Sequence, residues 1–335
     1  MECTVIIPVI EPNKLLSEII EKTLRSHPQL KIIVLYNHSS NKIIPNERVT
    51  MIQTEKKNMS AKRNIGANLA DTKYLAFLDS DAYPNKDWFS NAKVLLENDS
   101  SLGIITGPEL SFPNQTFIEN TVGICNRSFL ILGSHNFRKS ISKSRFYSEA
   151  SACNILLKKE DYIAVGGMDP NLYLGEDQEF SHRFTKITKK KIYFSNNVII
   201  FHKDRNLKGY IVQRFARGLT ASNLKFKIIN FFKNISVNNF IKQRFELFLP
   251  PSFIIFLLLF PLFTINKTLN FLFFTIISIY LLIITFETIR LIKTRIIYFL
   301  PVFIFLIIGS ITPGFAPLFR MINLNLNIKK LYRNS

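Results

Sequence analysis

Acids are scarce in this chain of 335 residues. Lys and Arg number 43 against 24 Asp and Glu, a formal net charge of +19. A balance this basic calls for an anionic partner: nucleic acid, nucleotide phosphates or an acidic membrane face. Cysteine is scarcer. Cys3, Cys125 and Cys153 are odd in number and widely spaced, which excludes a disulfide framework and a zinc-ligand pattern and fits reduced thiols. MECTVIIPVIEPN at the start has no basic region and too short an apolar run for an export signal. There are no internal repeats and no low-complexity tail. Charge is also missing from three stretches near the C-terminus, and that absence divides the chain.

Up to about residue 200, short apolar runs alternate with amphipathic stretches. CTVIIPVI, LKIIVLYN, YLAFLDSD and LGIITGP read as strands. NKLLSEIIEKTLRSH reads as a helix, with Leu15, Leu16, Ile19, Ile20 and Leu24 at helical spacing, and SAKRNIGANLA as another with Ser60 as its N-cap. Strands alternating with helices predict an α/β domain with a parallel-type, Rossmann-like sheet over residues 1–205. The ligand site of such a sheet lies beyond the carboxyl ends of its strands, where Asp79 and Asp81 fall.

Beyond residue 245 the solvent changes. Phe248 to Ile265 and Leu269 to Phe286 carry no charge, and neither does Ile296 to Phe319, which is broken by Pro301, Pro313, Gly314 and Pro317. The first two approach the roughly 20 residues that cross a bilayer core. The breaks in the third leave open a re-entrant hairpin or a third full crossing within a membrane region over 245–320. Residues 206–244 mix Lys and Arg with Phe, Ile and Leu, the pattern of basic amphipathic helices in a membrane interface. Membrane lipids, not nucleic acid, are then the partner of this cationic surface. Arg290, Lys293 and Arg295, and the basic tail over 321–335, predict cytosolic loops around an outer turn at Asn266 and Lys267. The expected location is the cell (inner) membrane, multi-pass, with a cytosolic N-terminal domain.

Three clusters carry chemistry. FLDSDAYP ends a buried strand on two carboxylates, Asp79 and Asp81. Like charges tolerate each other there if a divalent cation sits between them and a polyphosphate; a solvated turn is the alternative. GGMDPNLYLGEDQEFSHRF places Glu176 and Asp177 at an apparent helix start, as a cap or as a general base. KIYFSNNVIIFHKDRN runs as a strand into His202 and Arg205, where the histidine is a metal ligand, a phosphate donor or a surface residue.

VIIP, AKRNIGAN, FLDSDAYP, GGMD with GEDQEFSHR, and the late strand ending in His occur in an order that resembles the GT-A glycosyltransferases of family 2, over roughly residues 3 to 218. The resemblance implies a nucleotide-sugar domain with Mn2+ or Mg2+ as cofactor. It implies that Asp81 holds the metal with Asp79 and His202 beside it, and that Asp79 also contacts the donor nucleotide. Lys62 and Arg63 then lie near the nucleotide and its diphosphate, with Pro8, Glu11, Asn37, Arg205 and Arg217 completing the donor contacts. Asp177 is implied as catalytic base, with Glu176 holding the acceptor or orienting that base.

The chain departs from the family at two places. The second strand ends Tyr36-Asn37-His38-Ser39, without its usual acids, although Asn37 retains the ability to bond a uracil edge. Gln213-Arg214-Phe215-Ala216-Arg217-Gly218 replaces the Q-x-x-R-W motif of processive synthases. The implied activity is inverting transfer of a single sugar, from a UDP-sugar to a lipid-linked or glycan acceptor at the cytosolic membrane face. A polyprenyl phosphate acceptor and a catalytically inert membrane scaffold of the same fold are the alternatives.

Overall fold

The computed structural model describes residues 1–38, 46–56, 58–172, 175–222 and 249–321. They form two compact units, Met1–Pro113 with Phe137–Lys203, and Asn114–Asn136 with the chain from Asp204 onward.

The first unit opens with β1 (Cys3–Pro8), α1 (Lys14–Ser26), β2 (Leu30–Tyr36), β3 (Val49–Gln53), α2 (Met59–Leu69) and β4 (Tyr74–Phe77). The strands are apolar on both faces and almost wholly buried in β1, β2 and β4, as strands covered by helices on both sides must be. β1, β2, β3 and β4 pair in parallel. Asn13 caps α1 by accepting from Leu16 N at 3.0 Å. Asn58, not Ser60, caps α2, with its Oδ1 3.1 Å from Ala61 N, so α2 begins one residue before the predicted cap.

There follow β5 (Ala82–Pro84), α3 (Trp88–Asn98), β6 (Leu102–Thr106) and β7 (Glu109–Ser111). After the segment that belongs to the second unit come β8 (Arg145–Tyr147) and β9 (Ile155–Lys158). The main sheet has the order β3-β2-β1-β4-β9-β6, continued by β10 (Lys191–Phe194) and β8. It is mixed, where the alternating pattern predicted parallel strands: β9 runs antiparallel to both β4 and β6, and β8 antiparallel to β10. The apparent late strand is also two. KIYF forms β10 in the main sheet, Ser195–Asn197 turn, and IFH forms β11 (Ile200–His202) between β5 and β7 in a separate small sheet. Trp88 on α3, fully buried, donates Nε1–H to Asn154 Oδ1 at 2.8 Å, and Asn154 donates to Val198 O, tying helix, sheet and turn together.

In the second unit, Thr116 and Glu119 close a capping box on α4 (Phe117–Cys125), and α5 (Phe129–Leu132) follows. After α6 (Lys159–Ala164) and α7 (Glu176–Thr188) of the first unit, the second resumes with α8 (Leu207–Ser222). Helices Leu249–Leu258, Phe260–Phe263, Lys267–Ile292 and Phe299–Met321 complete it. The first apolar stretch is interrupted at Leu259, two residues before Pro261, which has no amide hydrogen to continue the ladder onto the carbonyl of Leu257. Of the predicted interface segment only α8 is described. Residues 223–244 and the tail over 322–335 lie outside the described residues.

Phe299–Met321 is a single helix with Pro313 and Pro317 inside it, the continuous one of the two forms open to this stretch. The reason lies on α8. Proline has no amide hydrogen, so Pro313 cannot bond the carbonyl of Gly309 one turn earlier. Arg214, buried, supplies that hydrogen: its Nε is 2.8 Å from Gly309 O, and the same guanidinium bonds Ile131 O. Pro317 likewise strands Pro313 O, against which Gly218 packs so closely that a Cβ there would come within 2.1 Å of it.

Gly218→Ala is therefore expected to destabilise the second unit by about 1–3 kcal/mol, the cost of overpacking against backbone. Gly209→Ala on the same helix, where the nearest atom would be Asn206 Oδ1 at 3.3 Å, should be much milder. Thermal unfolding in detergent checks this; equal melting of the two variants would contradict the close approach.

Candidate active site

α2 lies behind the ends of β1, β2 and β4 and carries two consecutive buried cations. Lys62, fully buried, donates to Val9 O just beyond Pro8 and, at 2.8 Å, to Asn37 Oδ1. Burial pulls its pKa down to about 8. Asn37 in turn donates to Thr54 O and Lys56 O. Its amide hydrogens are thus spent on the backbone after β3, where the sequence had placed them against a base edge. Beside it, Asn37, His38, Gln53, Thr54 and Glu55 line an open cavity of about 730 Å³ at the carboxyl ends of β2 and β3, the position where α/β sheets bind ligands. Pro8 ends β1 and Glu11 is exposed in the loop after it, joined to β2 by the bonds from Asn37 N and His38 N to Ile10 O.

Arg63 faces the other way. Its NH2 donates to Asp79 Oδ1 at 2.9 Å, and its NH1 lies 3.8 Å from Glu176 Oε1. The guanidinium is 4% exposed, and its Nε and NH1 find no hydrogen-bond partner. Asp79 and Asp81 follow β4 in a turn closed by Ala82 N on Asp79 O at 3.1 Å. His202 ends β11 opposite Ala82 in the small sheet. Its Nε2 is 3.4 Å from Asp81 Oδ1 and 3.8 Å from Asp79 Oδ2, and its Nδ1 lies 2.9 Å from Lys203 O. Burial would lower the imidazole pKa, but the Asp81 charge and the hydrogen bond with Asp79 raise it to about 9.

These donors fit a hard divalent cation. Two carboxylates and an imidazole converge, and with Nδ1 against Lys203 O, a cation displacing the Nε2 proton would find that nitrogen beside both carboxylates. Cys153 Sγ also lies within 4.8 Å of the Asp79 and His202 ligand atoms. Burial and the charges of Glu109 and Asp79 hold its thiol well above the ordinary range, which keeps it protonated and a poor ligand.

The second acidic pair is built by α7. Gly175 precedes it in the left-handed region at φ 76, without a side-chain cap, and Glu176 and Asp177 occupy the first turn. Asp177 Oδ1 accepts from the adjacent Gln178 N at 2.9 Å, an amide of the first turn that has no intrahelical partner. Three motifs are stitched behind the pair. Asn64 of AKRN donates to Met168 O and accepts from Met168 N. Arg183 of GEDQEFSHR donates to Gly167 O at 2.8 Å and to Val165 O. Gly167, at φ 69, leaves no room for a Cβ, which would meet Asn64 Oδ1 at 2.4 Å. Burial, then the charge of Asp177, pushes Glu176 up to about 7; burial also raises Asp177, opposed by Arg138.

The structure therefore brings together Arg63, Asp79, Asp81, Glu176, Asp177 and His202, and sets Lys62 and Asn37 at the adjoining strand ends. Arg205 and Arg217 belong to the second unit, where Arg217 donates to Leu132 O at 3.1 Å. Sequence reasoning missed Glu109, Arg138 and Lys139. Glu109 follows Gly-Pro at the end of LGIITGP, an acid after an apolar strand just as in FLDSD; nothing in GSHNFRKS marks the two cations.

Removing the like charge beside Glu176 favours its ionised form, so in Asp177→Asn the Glu176 titration is expected to fall below about 7. Carboxyl NMR against pH checks this. A titration midpoint unmoved by the substitution would assign the whole shift to burial.

Residues 4–163 match the model of Glycosyl transferase family 2. No curated protein sequence matches the chain. Among solved structures it is similar to S. aureus TarS 1-349, at 13% identity and a TM-score of 0.44, covering 66% of this chain and 64% of that one. It is also similar to GalNAc-T7 with UDP, GalNAc and Mn2+, at 14% identity and a TM-score of 0.45, covering 62% and 44%. The aligned region thus spans less than two thirds of either protein. The family match, on the mixed sheet and strand-end carboxylates described above, makes the first unit a family 2 glycosyltransferase domain of the GT-A fold.

Proposed function

We propose that the protein is an inverting, membrane-anchored glycosyltransferase that moves a single sugar from a nucleotide-sugar, a UDP-sugar, to a lipid-linked acceptor. The observation that carries this reading is the Arg63 guanidinium held between Asp79, after β4, and Glu176, on α7. It joins the metal-type carboxylates to the acidic pair within one site. Asp79, Asp81 and His202 would hold Mn2+ or Mg2+, whose contribution when bound is to neutralise charge on the departing diphosphate. Lys62 and Asn37 brace the strand ends beside the nucleotide, and Arg63 orients Asp79. Asp177 takes the proton of an acceptor hydroxyl, so that the oxygen attacks the anomeric carbon from the face opposite the nucleotide. Transfer of one sugar is supported by Arg214, which occupies the place of the processive motif but is spent on helix carbonyls.

The membrane part of the reading rests on the second unit. Helix Lys267–Ile292 and residues 296–317 are long and apolar enough to cross a membrane, with 11% and 28% of their most apolar windows buried. Twenty-six residues rise about 39 Å, against roughly 30 Å of hydrocarbon. Phe271 and Phe286 are 75% and 71% exposed, which suits lipid better than water. The cations of the Lys293–Arg295 turn favour its placement in the cytosol.

A panel of nucleotide-sugars with Mn2+, scored for nucleoside diphosphate release by the detergent-purified protein, tests the activity. UDP-sugar turnover is expected. Asp81→Ala should abolish metal-dependent UDP binding in calorimetry, and Asp177→Asn should lower transfer by roughly 10²–10⁴-fold with donor binding nearly intact. No release from any donor would favour the inert scaffold.

Cysteine labelling tests the topology against a low background, since Cys3, Cys125 and Cys153 are all buried. A cysteine at position 266 should react only from outside the cell, and one at 294 only from the cytosol. The reverse pattern would overturn the arrangement.

A further inference from the structure

Glu109 begins β7, which pairs in parallel with β11 so that Glu109 stands opposite Ile200 and Ser111 opposite His202. Residues two apart on a strand, and residues opposite each other in register, share a face. Glu109 and His202 therefore project from the same side of the small sheet. The Glu109 carboxylate is 4% exposed. Its Oε2 accepts from Lys139 Nζ at 2.9 Å, while its Oε1 is buried with no hydrogen-bond partner. The Arg138 NH1 is 3.9 Å from that oxygen, close enough for charge and too far for a hydrogen bond. Arg138 Nε is buried without a partner as well. Burial would raise the Glu109 pKa, yet Lys139 and Arg138 hold it well below the ordinary carboxylate range, so the acceptor is ionised.

A buried acceptor and a buried donor thus stand unsatisfied on two side chains in charge contact, and buried polar groups normally find partners. The chemistry of the missing partner follows. A phosphate only accepts, and it would face the carboxylate of Glu109. An ammonium only donates, and it would face Arg138 and Lys139. A hydroxyl both donates and accepts, so a group carrying several hydroxyls can serve an acceptor and a donor at once. The pair is also electrostatically continuous with the site: His202 acts on Glu109, and Arg138 on Asp177.

We propose that Glu109 and Arg138 form a clasp for the hydroxyls of a pyranose ring, with the ring donating to Glu109 Oε1 and accepting from Arg138 Nε–H. The inference rests on the glycosyltransferase reading above and names the part of the site that recognises sugar. Both the donor and the acceptor bring such hydroxyls.

Calorimetry in detergent with Mn2+ compares UDP with UDP-glucose, UDP-galactose and UDP-N-acetylglucosamine on the parent, Glu109→Gln and Arg138→Lys. The lysine keeps a charge for Glu109 but lacks the planar Nε–H, and so covers the case in which the glutamine variant fails to fold. If the clasp holds the donor sugar, affinity for the UDP-sugar falls about tenfold while affinity for UDP stays. If it holds the acceptor sugar, both affinities and donor hydrolysis stay while the acceptor KM rises about tenfold. Equal loss of UDP and UDP-sugar affinity, or no change in binding and transfer, would overturn the clasp. A parent protein that binds neither UDP nor UDP-sugar would instead overturn the UDP-sugar reading on which it rests.

Discussion

The guanidinium of Arg63 stands between two sources of negative charge that reach it from chain positions about a hundred residues apart. Asp79 arrives at the end of β4 and Glu176 at the start of α7. A guanidinium buried this deeply gains from carboxylates beside it, and carboxylates this close repel unless a cation lies among them. Each side thus supplies what the other needs. Lys62, the preceding residue, points to the opposite side and braces Val9 O and Asn37 instead. Two adjacent cations on one helix therefore brace both the ends of β1 and β2 and the acidic cluster. Asn64, the next residue, fixes the Met168 backbone and with it the approach to α7. AKRN works as a unit because all three side chains leave α2 for different parts of the same pocket.

Much of this was visible before folding. The strand ending on Asp79 and Asp81, the acids before the α7 pattern and the basic AKRN segment are short-range signals, and each stands where its motif put it. What was not legible depends on pairing across distance. β5, β7 and β8 are three residues long, too short for a period to show. The continuous appearance of KIYFSNNVIIFH conceals a turn at Ser195–Asn197 and a change of sheet. The antiparallel run of β9 is set by its neighbours β4 and β6, not by its own four residues. Glu109, Arg138 and Lys139 converge only because a segment of the other unit interrupts the chain between residues 113 and 137.

The second unit shows how a correct local rule loses to a tertiary contact. Pro313 and Pro317 would end a helix standing alone. Here Arg214 bonds the Gly309 carbonyl that Pro313 abandons, and Gly218 lets α8 close on the carbonyl that Pro317 abandons. Arg214 and Gly218, which stand where processive synthases carry their motif, keep an apolar helix whole. Their spacing, four apart on α8, repeats the four-residue spacing of the two prolines, so the helices meet one turn at a time.

The same contest between burial and charge decides how the acidic pair titrates. Burial raises both Glu176 and Asp177, and each negative charge makes the other more costly. Arg138 lies among the charges that favour ionised Asp177, whereas Glu176 is pushed up to about 7 with Asp177 as its principal like charge. Near neutral pH the pair therefore resists carrying both negative charges at once. The cations that surround the pair come from α2 and from the segment beginning at Phe137, so the titration of these two carboxyls is set by the fold and not by α7 itself.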